Sequence, residues 1–522
     1  MSATSAKPDS APSLGMWDVI SIIAGIIIGV SIFRAPANIF GNITDQTLSA
    51  FGKSVTVPAM WAGLGAWALV GLLSLIGAMC YAELATAYPT SGGDYIYLTR
   101  AYGQGPGFMF AWSEMAVIRT GASIGAMAYV FADYANGLYP LQQKLSGTAV
   151  EFLGARPGLS YSAAAVLMLT LVNALGLKPG RLVQNGLSSI KVIGLLAIIV
   201  AGGLYFLWPR TLADLPLEPK PVWRFPPSFA LAMVFVFYAY GGWNEAAYVA
   251  AELRDRRRNI VRALALGVGL VTVIYLAVNA AYLAALGLDG VRRSKLVAAD
   301  VMFLPLGKPG ATAISALIMI SALGAINGLM FTGVRLYSTF GRRERLFAWL
   351  SHKPRSLPTP PGALLVQTFF TLALLGLFEF GDYWKPRLAD ALARVRIDVP
   401  ENFRARADGG FDDLVACTAP VFWLYFTLTG YSVIVLRSRD RGVERPFRVP
   451  LSPLLPLVFC ASSLWMFYRS TDWALTRGPG ELAVVAVFVL LGVPLYALSG
   501  PPKANTSSVE ASSRRAPAEE MP

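Results

Sequence analysis

The sequence predicts an all-α, polytopic membrane protein of twelve spans. Of its 522 residues 55% are hydrophobic and only 14% charged, and the mean hydropathy of +0.53 lies above the range of water-soluble domains. Apolar stretches recur along the whole chain, each long enough to cross ~30 Å of hydrocarbon. Between them, basic residues gather in short loops on alternate sides of the span count.

In order, the stretches are 17–40, 57–88, 107–133, 159–176, 186–208, 226–250, 260–286, 310–340, 361–379, 413–436, 451–468 and 481–499. The first is no signal peptide, because only Lys7 precedes it, it is too long, and eleven more stretches follow. The basic loops 252–262, 341–355 and 437–448 share one face with "LKPGR" (177–181) and both termini, which predicts that face to be cytoplasmic. The opposite segment 379–412 dilutes six basic residues with seven acidic ones and leaves room for a short helix. The net charge of +13 therefore reads as topology signal, with the lipid bilayer and not nucleic acid as partner.

Cys80, Cys417 and Cys460 fall within spans without metal-ligand spacing and read as small core residues, and the single histidine, His352, lies in a basic loop. No metal, cofactor or enzymatic nucleophile–base pair is expected. Residues 1–15 and 500–522 are polar, Ser-, Ala- and Pro-rich tails expected to be disordered on the cytoplasmic side.

Two spans carry breaks. "GIIIGVSIF" (25–33) places Gly25 and Gly29 ahead of Ser31, Arg34 and Pro36, and "FYAYGGWNEAA" (237–247) places Gly241-Gly242 ahead of Trp243, Asn244 and Glu245. Glycines in membrane helices also serve close packing. These two, however, lie five spans apart, an odd number, so equivalent helices run in opposite directions. Matched interruptions in two halves point to an inverted repeat around a midplane binding site. Unwinding near Gly29 to Ser31 frees N–H groups that can hold a carboxylate, and carbonyls around Ala239 to Gly241 can accept from an ammonium group. An anion end beside a cation end suits an α-amino acid.

At these residues the sequence resembles the L-type branch of the amino acid–polyamine–organocation permeases, over nearly all of 16–470. "GIIIGVSIFRAP" is similar to that branch's "GTIIGSGIFVSP", and "IGAMCYAELATAYPTSGGDYIYL" (76–98) to its "GALCYAELGTxxPxSGGDYxY". "YAYGGWNEAAYVAAELRDRRRNI" and "ISALGAINGLMFTGVRLYSTFG" match the sixth and eighth helices. The resemblance implies the leucine-transporter-type fold: a first repeat of five helices (16–208), an inverted second (209–437), and two added helices (438–499).

It also implies site residues. The carboxylate site falls on Ile27, Gly29, Val30 and Ser31, and the amine site on carbonyls around Tyr238, Ala239 and Gly241, with Tyr238 covering the substrate. Val117, Ile118, Ala122 and Trp423 would wall the pocket. Lys191 would take the place of a sodium ion, linking carbonyls near Gly25 to Ser321, although a lysine this near a helix end can also snorkel. The implied activity is sodium-independent, secondary active transport of amino acids at the cell membrane, by symport with protons or by exchange. A sensor of the same fold that binds without transport is the alternative.

Two positions depart from the branch. Ser31 replaces a glycine and narrows the site. Glu245 stands where an aromatic or apolar residue is usual, and a carboxylate there can attract a cationic side chain or a proton. Glu83 reads as a tie to the cytoplasmic loops, Glu114 as a tie to a neighbouring helix, and Arg34 either steers anions or anchors an outer gate. Arg119, five residues after Glu114, is off the i,i+4 ridge of an α-helix, which leaves direct pairing between them open.

Overall fold

A computed structural model describes residues 15–50, 53–89, 92–141, 154–176, 181–207, 227–245, 256–354, 357, 359–394, 396, 398–404 and 410–500. Tail residues 1–14 and 501–522, most of "LKPGR", and the stretches 208–226 and 246–255 lie outside the described residues.

The first stretch is two helices. α1 (Met16–Ile27) stops before Gly29, which is extended at φ −95° and ψ −179°. A 3₁₀ turn, Val30–Phe33, leads into α2 (Ala35–Gly41), where Pro36 sits in the first turn and its missing N–H costs nothing. Gly25 lies inside α1, with open space where a Cβ would be, so the break starts at Ile28 and owes nothing to Gly25.

A hairpin follows, β1 (Gln46–Ala50) paired antiparallel with β2 (Lys53–Val57) in the register Gln46↔Val57. This corrects the all-α expectation. The β-branched Thr47, Val55, Thr56 and Val57 flank a Gly-containing pair, Phe51-Gly52, which is the sequence signal for it.

Next come α3 (Ala59–Ala87), α4 (Asp94–Tyr102) and α5 (Gln104–Ser113). α5 continues as twelve π-helical residues, Glu114–Gly125, and then as α6 (Ala126–Leu138). Beyond it lie α7 (Pro157–Ala174), α8 (Arg181–Leu207) and α9 (Phe229–Ala239). α10 (Arg256–Arg293) and α11 (Val297–Arg343) bend at Gly287 (φ +67°) and Gly307 (φ +62°), so each carries a short helical piece beyond the stretch expected. α12 (Pro361–Glu379), α13 (Gly381–Arg394), α14 (Phe411–Arg439), α15 (Leu454–Arg477), α16 (Pro479–Leu490) and α17 (Gly492–Ser499) complete the chain. α13 is the short helix anticipated within 379–412, and its Lys385 forms a buried ion pair with Glu481 of α16 at 2.7 Å.

Among the described residues eight helical segments are long and apolar enough to cross a membrane, and Lys191–Tyr205 and Phe229–Ala239 are shorter apolar helices. Leucines and valines such as Leu171, Val200, Leu464 and Leu490 face outward, where water would penalise them and lipid does not. The core is large and apolar, with Trp67, Tyr275 and Trp423 buried in it. α10 packs on α1, α3 and α8, and α8 also packs on α11, so the broken first helix is held from inside the bundle.

Candidate functional site

The two breaks face each other. α9 ends at Ala239, and Gly242 follows at φ +100°, a conformation that L side chains rarely adopt. A Cβ added there would lie 2.9 Å from Ile26 Cγ2 and 3.1 Å from the Ile26 carbonyl oxygen, so the second break rests against the end of α1.

Between them stands a residue that sequence reading missed. Tyr275 of α10 places its hydroxyl 3.0 Å from the carbonyl oxygens of both Ile27 and Ala239, the last helical residue on each side. One hydroxyl carries one proton, so it donates to one carbonyl at a time, and the Gly29 N–H lies against the same oxygen. Tyr282, two turns further along α10, reaches the Ile32 carbonyl at 3.5 Å, and Tyr134 donates to that of Phe33 at 2.9 Å. Backbone freed inside a membrane must find partners, and tyrosines supply them here. The signal was a set of single phenols in otherwise apolar spans. Tyr275→Phe leaves a carbonyl at the breaks without its donor and is expected to destabilise the detergent-solubilised protein by about 1 kcal/mol, the worth of one buried hydrogen bond. A melting temperature equal to that of the wild type would contradict this.

Ile27, Val30 and Ser31 are buried, and the side of Gly29 faces the Ser31 hydroxyl. The Tyr238 carbonyl accepts the Gly241 N–H at 3.0 Å. The Tyr238 ring meets Phe411 edge-on at 5.4 Å, while its buried hydroxyl has no partner among the described residues. Trp423 meets Phe237 edge-on at 4.7 Å, which joins α14 to the end of α9. Val117, Ile118 and Ala122 are buried on the π-helical segment, which packs chiefly on α12, α14 and α11. Gly194 of α8 abuts Ile314 and Leu317 of α11, and Ser321, one turn beyond Leu317, buries a hydroxyl with no partner among the described residues. Lys191, one turn before Gly194, is half-buried and forms no hydrogen bond or ion pair among the described residues.

Three ion-pair clusters among the described residues involve the charges singled out in the sequence. Arg34 pairs with Asp133 of α6 at 2.9 Å and with Asp412 of α14 at 3.4 Å, Asn38 also donates to Asp412, and the guanidinium lies 5.7 Å from the Phe411 ring centroid. Arg34 is thus an anchor held by two carboxylates and is not left free to steer anions. Glu83 of α3 takes both guanidinium arms of Arg437, lies 3.7 Å from Arg445, and accepts the Val449 N–H at 2.7 Å. This is the tie between Glu83 and the 437–448 loop that the sequence suggested.

The third cluster decides a pairing that the sequence left open. Arg119 pairs with Glu114 at 2.8 Å, because the segment between them is π-helical and its wider turn brings residues five apart onto one ridge. Arg119 also donates to Thr332 of α11 at 2.9 Å and lies 3.7 Å from Glu245, just beyond the second break.

Interrupted helices whose backbone ends meet inside a bundle of apolar helices are the pattern in which membrane permeases build their binding sites. A sequence profile described as amino acid permease matches residues 14–496. The chain belongs to that family, within the amino acid–polyamine–organocation superfamily, and its members are transporters and not enzymes. It is 27% identical over 489 residues to the mouse (Mus musculus) b(0,+)-type amino acid transporter 1, covering 93% of this chain and 87% of that protein. It is 29% identical over 495 residues to the large neutral amino acids transporter small subunit 2 of Oryctolagus cuniculus, covering 93% and 80%. The human (Homo sapiens) cystine/glutamate transporter is 26% identical over 482 residues, covering 92% and 83%.

Proposed function

We propose that this chain is a secondary active amino-acid transporter, a permease or exchanger that works by alternating access without sodium. The observation that carries the proposal is the Tyr275 hydroxyl, 3.0 Å from the Ile27 and the Ala239 carbonyl oxygens, which brings the two breaks to one point. The substrate carboxylate takes the N–H groups of Val30 and Ser31, beside the Gly29 N–H held by the Tyr275 hydroxyl. The substrate ammonium takes the unused lone pairs of the Tyr238, Ala239 and Gly241 carbonyls. Tyr238 is the lid, backed by Phe411, with Val117, Ile118, Ala122 and Trp423 forming the walls.

The architecture is a five-plus-five inverted repeat (16–208 and 209–437) followed by two further helices (438–499). It has twelve spans, sits in the cell membrane, and keeps both termini in the cytoplasm. In this frame the Arg34 cluster lies on the outer side and the Glu83 cluster on the inner, and each closes one access route. Substrate can shift the balance between the two only by binding one state better than the other. Counterflow into proteoliposomes preloaded with amino acids tests the proposal. Accumulation of labelled amino acid supports it, and binding without exchange would instead identify a sensor.

Sodium independence rests on Lys191. Gly194 packed on Ile314 and Leu317 sets a register between α8 and α11. Helices an odd number of crossings apart run antiparallel, which brings Lys191 level with Ser321. Its ammonium supplies a fixed positive charge where a coupling ion would otherwise be needed. Lys191→Ala is expected to lower exchange at least about tenfold, with no recovery on adding sodium. Wild-type exchange by this variant would contradict the assignment.

A further inference from the structure

The π-helical turn carries Arg119 into a buried polar cluster that the backbone site does not use. Glu114 and Glu245 flank its guanidinium at 2.8 and 3.7 Å, so two carboxylates face one cation and the cluster has a net charge of −1. The two acids are not equivalent. Glu114 is buried, accepts the Arg119 Nε–H at 2.8 Å, and lies 2.8 Å from a second guanidinium nitrogen. Glu245 is 35% exposed, and no donor among the described residues lies within hydrogen-bond distance of it.

A second feature points into the same place. Gln367 of α12 is fully buried, yet neither its amide oxygen nor its amide nitrogen has a partner among the described residues. A Cβ added at Gly333 would meet Gln367 Oε1 at 2.2 Å and Arg119 Cδ at 2.7 Å, so both side chains pack side by side on one face of α11. Tyr337, one turn further along α11, also buries a hydroxyl without a partner among the described residues, and Arg119 and Glu114 are the charges that act on it. Buried polar groups nearly always find a partner in protein, water or ligand. An orphan acceptor beside a carboxylate in excess is suited to a positively charged donor.

Glu245 lies three residues past Gly242, about 4.5 Å along a helix. A lysine or arginine stem spans that distance when its α-carboxylate and α-ammonium are held at the breaks. We propose that Glu245, with Gln367 behind it, forms the side-chain end of the substrate site and selects amino acids with a cationic terminus, an ammonium or a guanidinium. This rests on the transport reading above and adds the substrate class.

Arginine and citrulline have nearly the same shape and differ in that charge, so their exchange in proteoliposomes tests the proposal. Wild-type protein is expected to favour arginine over citrulline in kcat/KM by at least about tenfold. Glu245→Gln should remove most of that ratio and Glu245→Asp should keep most of it. The ratio is internal to each preparation, so poor folding lowers both rates and leaves it unmoved. No arginine preference in the wild type, or an unchanged ratio in Glu245→Gln, overturns the proposal. Absence of exchange with every amino acid overturns instead the transport reading on which it rests.

Discussion

Gly242→Val is expected to cut amino-acid exchange by at least about a hundredfold. Two costs coincide at this position. The backbone sits at φ +100°, where a β-branched residue is strained by about 1–3 kcal/mol. The new Cβ would also lie 3.1 Å from the Ile26 carbonyl oxygen, which belongs to the end of α1 and cannot retreat without shifting the first break. The substitution therefore acts on the distance between the two halves of the site. Gly269→Ala is the control, since the side of Gly269 faces open space on α10 and that change should leave exchange and yield as they are. Exchange by Gly242→Val at the Gly269→Ala rate would show that the close approach of the breaks does not matter.

The second large effect is on stability. Glu83 is buried and holds both arms of Arg437, the nearby Arg445 and the Val449 N–H. Glu83→Ala leaves the Arg437 guanidinium and a backbone N–H without their acceptor and removes the negative charge beside Arg445. Losing one partner of a buried ion pair costs about 3–5 kcal/mol. The detergent-solubilised variant should melt well below the wild type by intrinsic fluorescence, and Glu83→Gln, which keeps one acceptor, should fall between them. Equal melting temperatures for Glu83→Ala and wild type would contradict the assignment.

Both breaks were legible in the sequence because a membrane helix has no local reason to place Gly29, Ser31 and Pro36, or Gly241-Gly242 and Glu245, in an apolar run. What the sequence hid was partnership. Arg34 meets carboxylates 99 and 378 residues away, and no local spacing encodes that. Arg119 and Glu114 are only five residues apart, yet their pairing stayed open, because the i,i+4 rule presumes an α-helix and this segment is π-helical. Gly25 was given part in the opening because glycine reads as a breaker, yet α1 continues through it. Tyr275 left no mark beyond a phenol in an apolar span, and only the packing of α10 against α1 gives that phenol its position. Local chemistry was readable. Contacts made through tertiary packing were not.

The central claim is that the two breaks bind the α-carboxylate and the α-ammonium of one amino acid. The most direct test compares, in reconstituted vesicles, inhibition of exchange by the best-exchanged amino acid, by its methyl ester and by its deaminated analogue. The account predicts that only the intact amino acid competes strongly, because each analogue leaves one set of freed backbone groups without a partner. Competition by either analogue at the strength of the parent amino acid would contradict it.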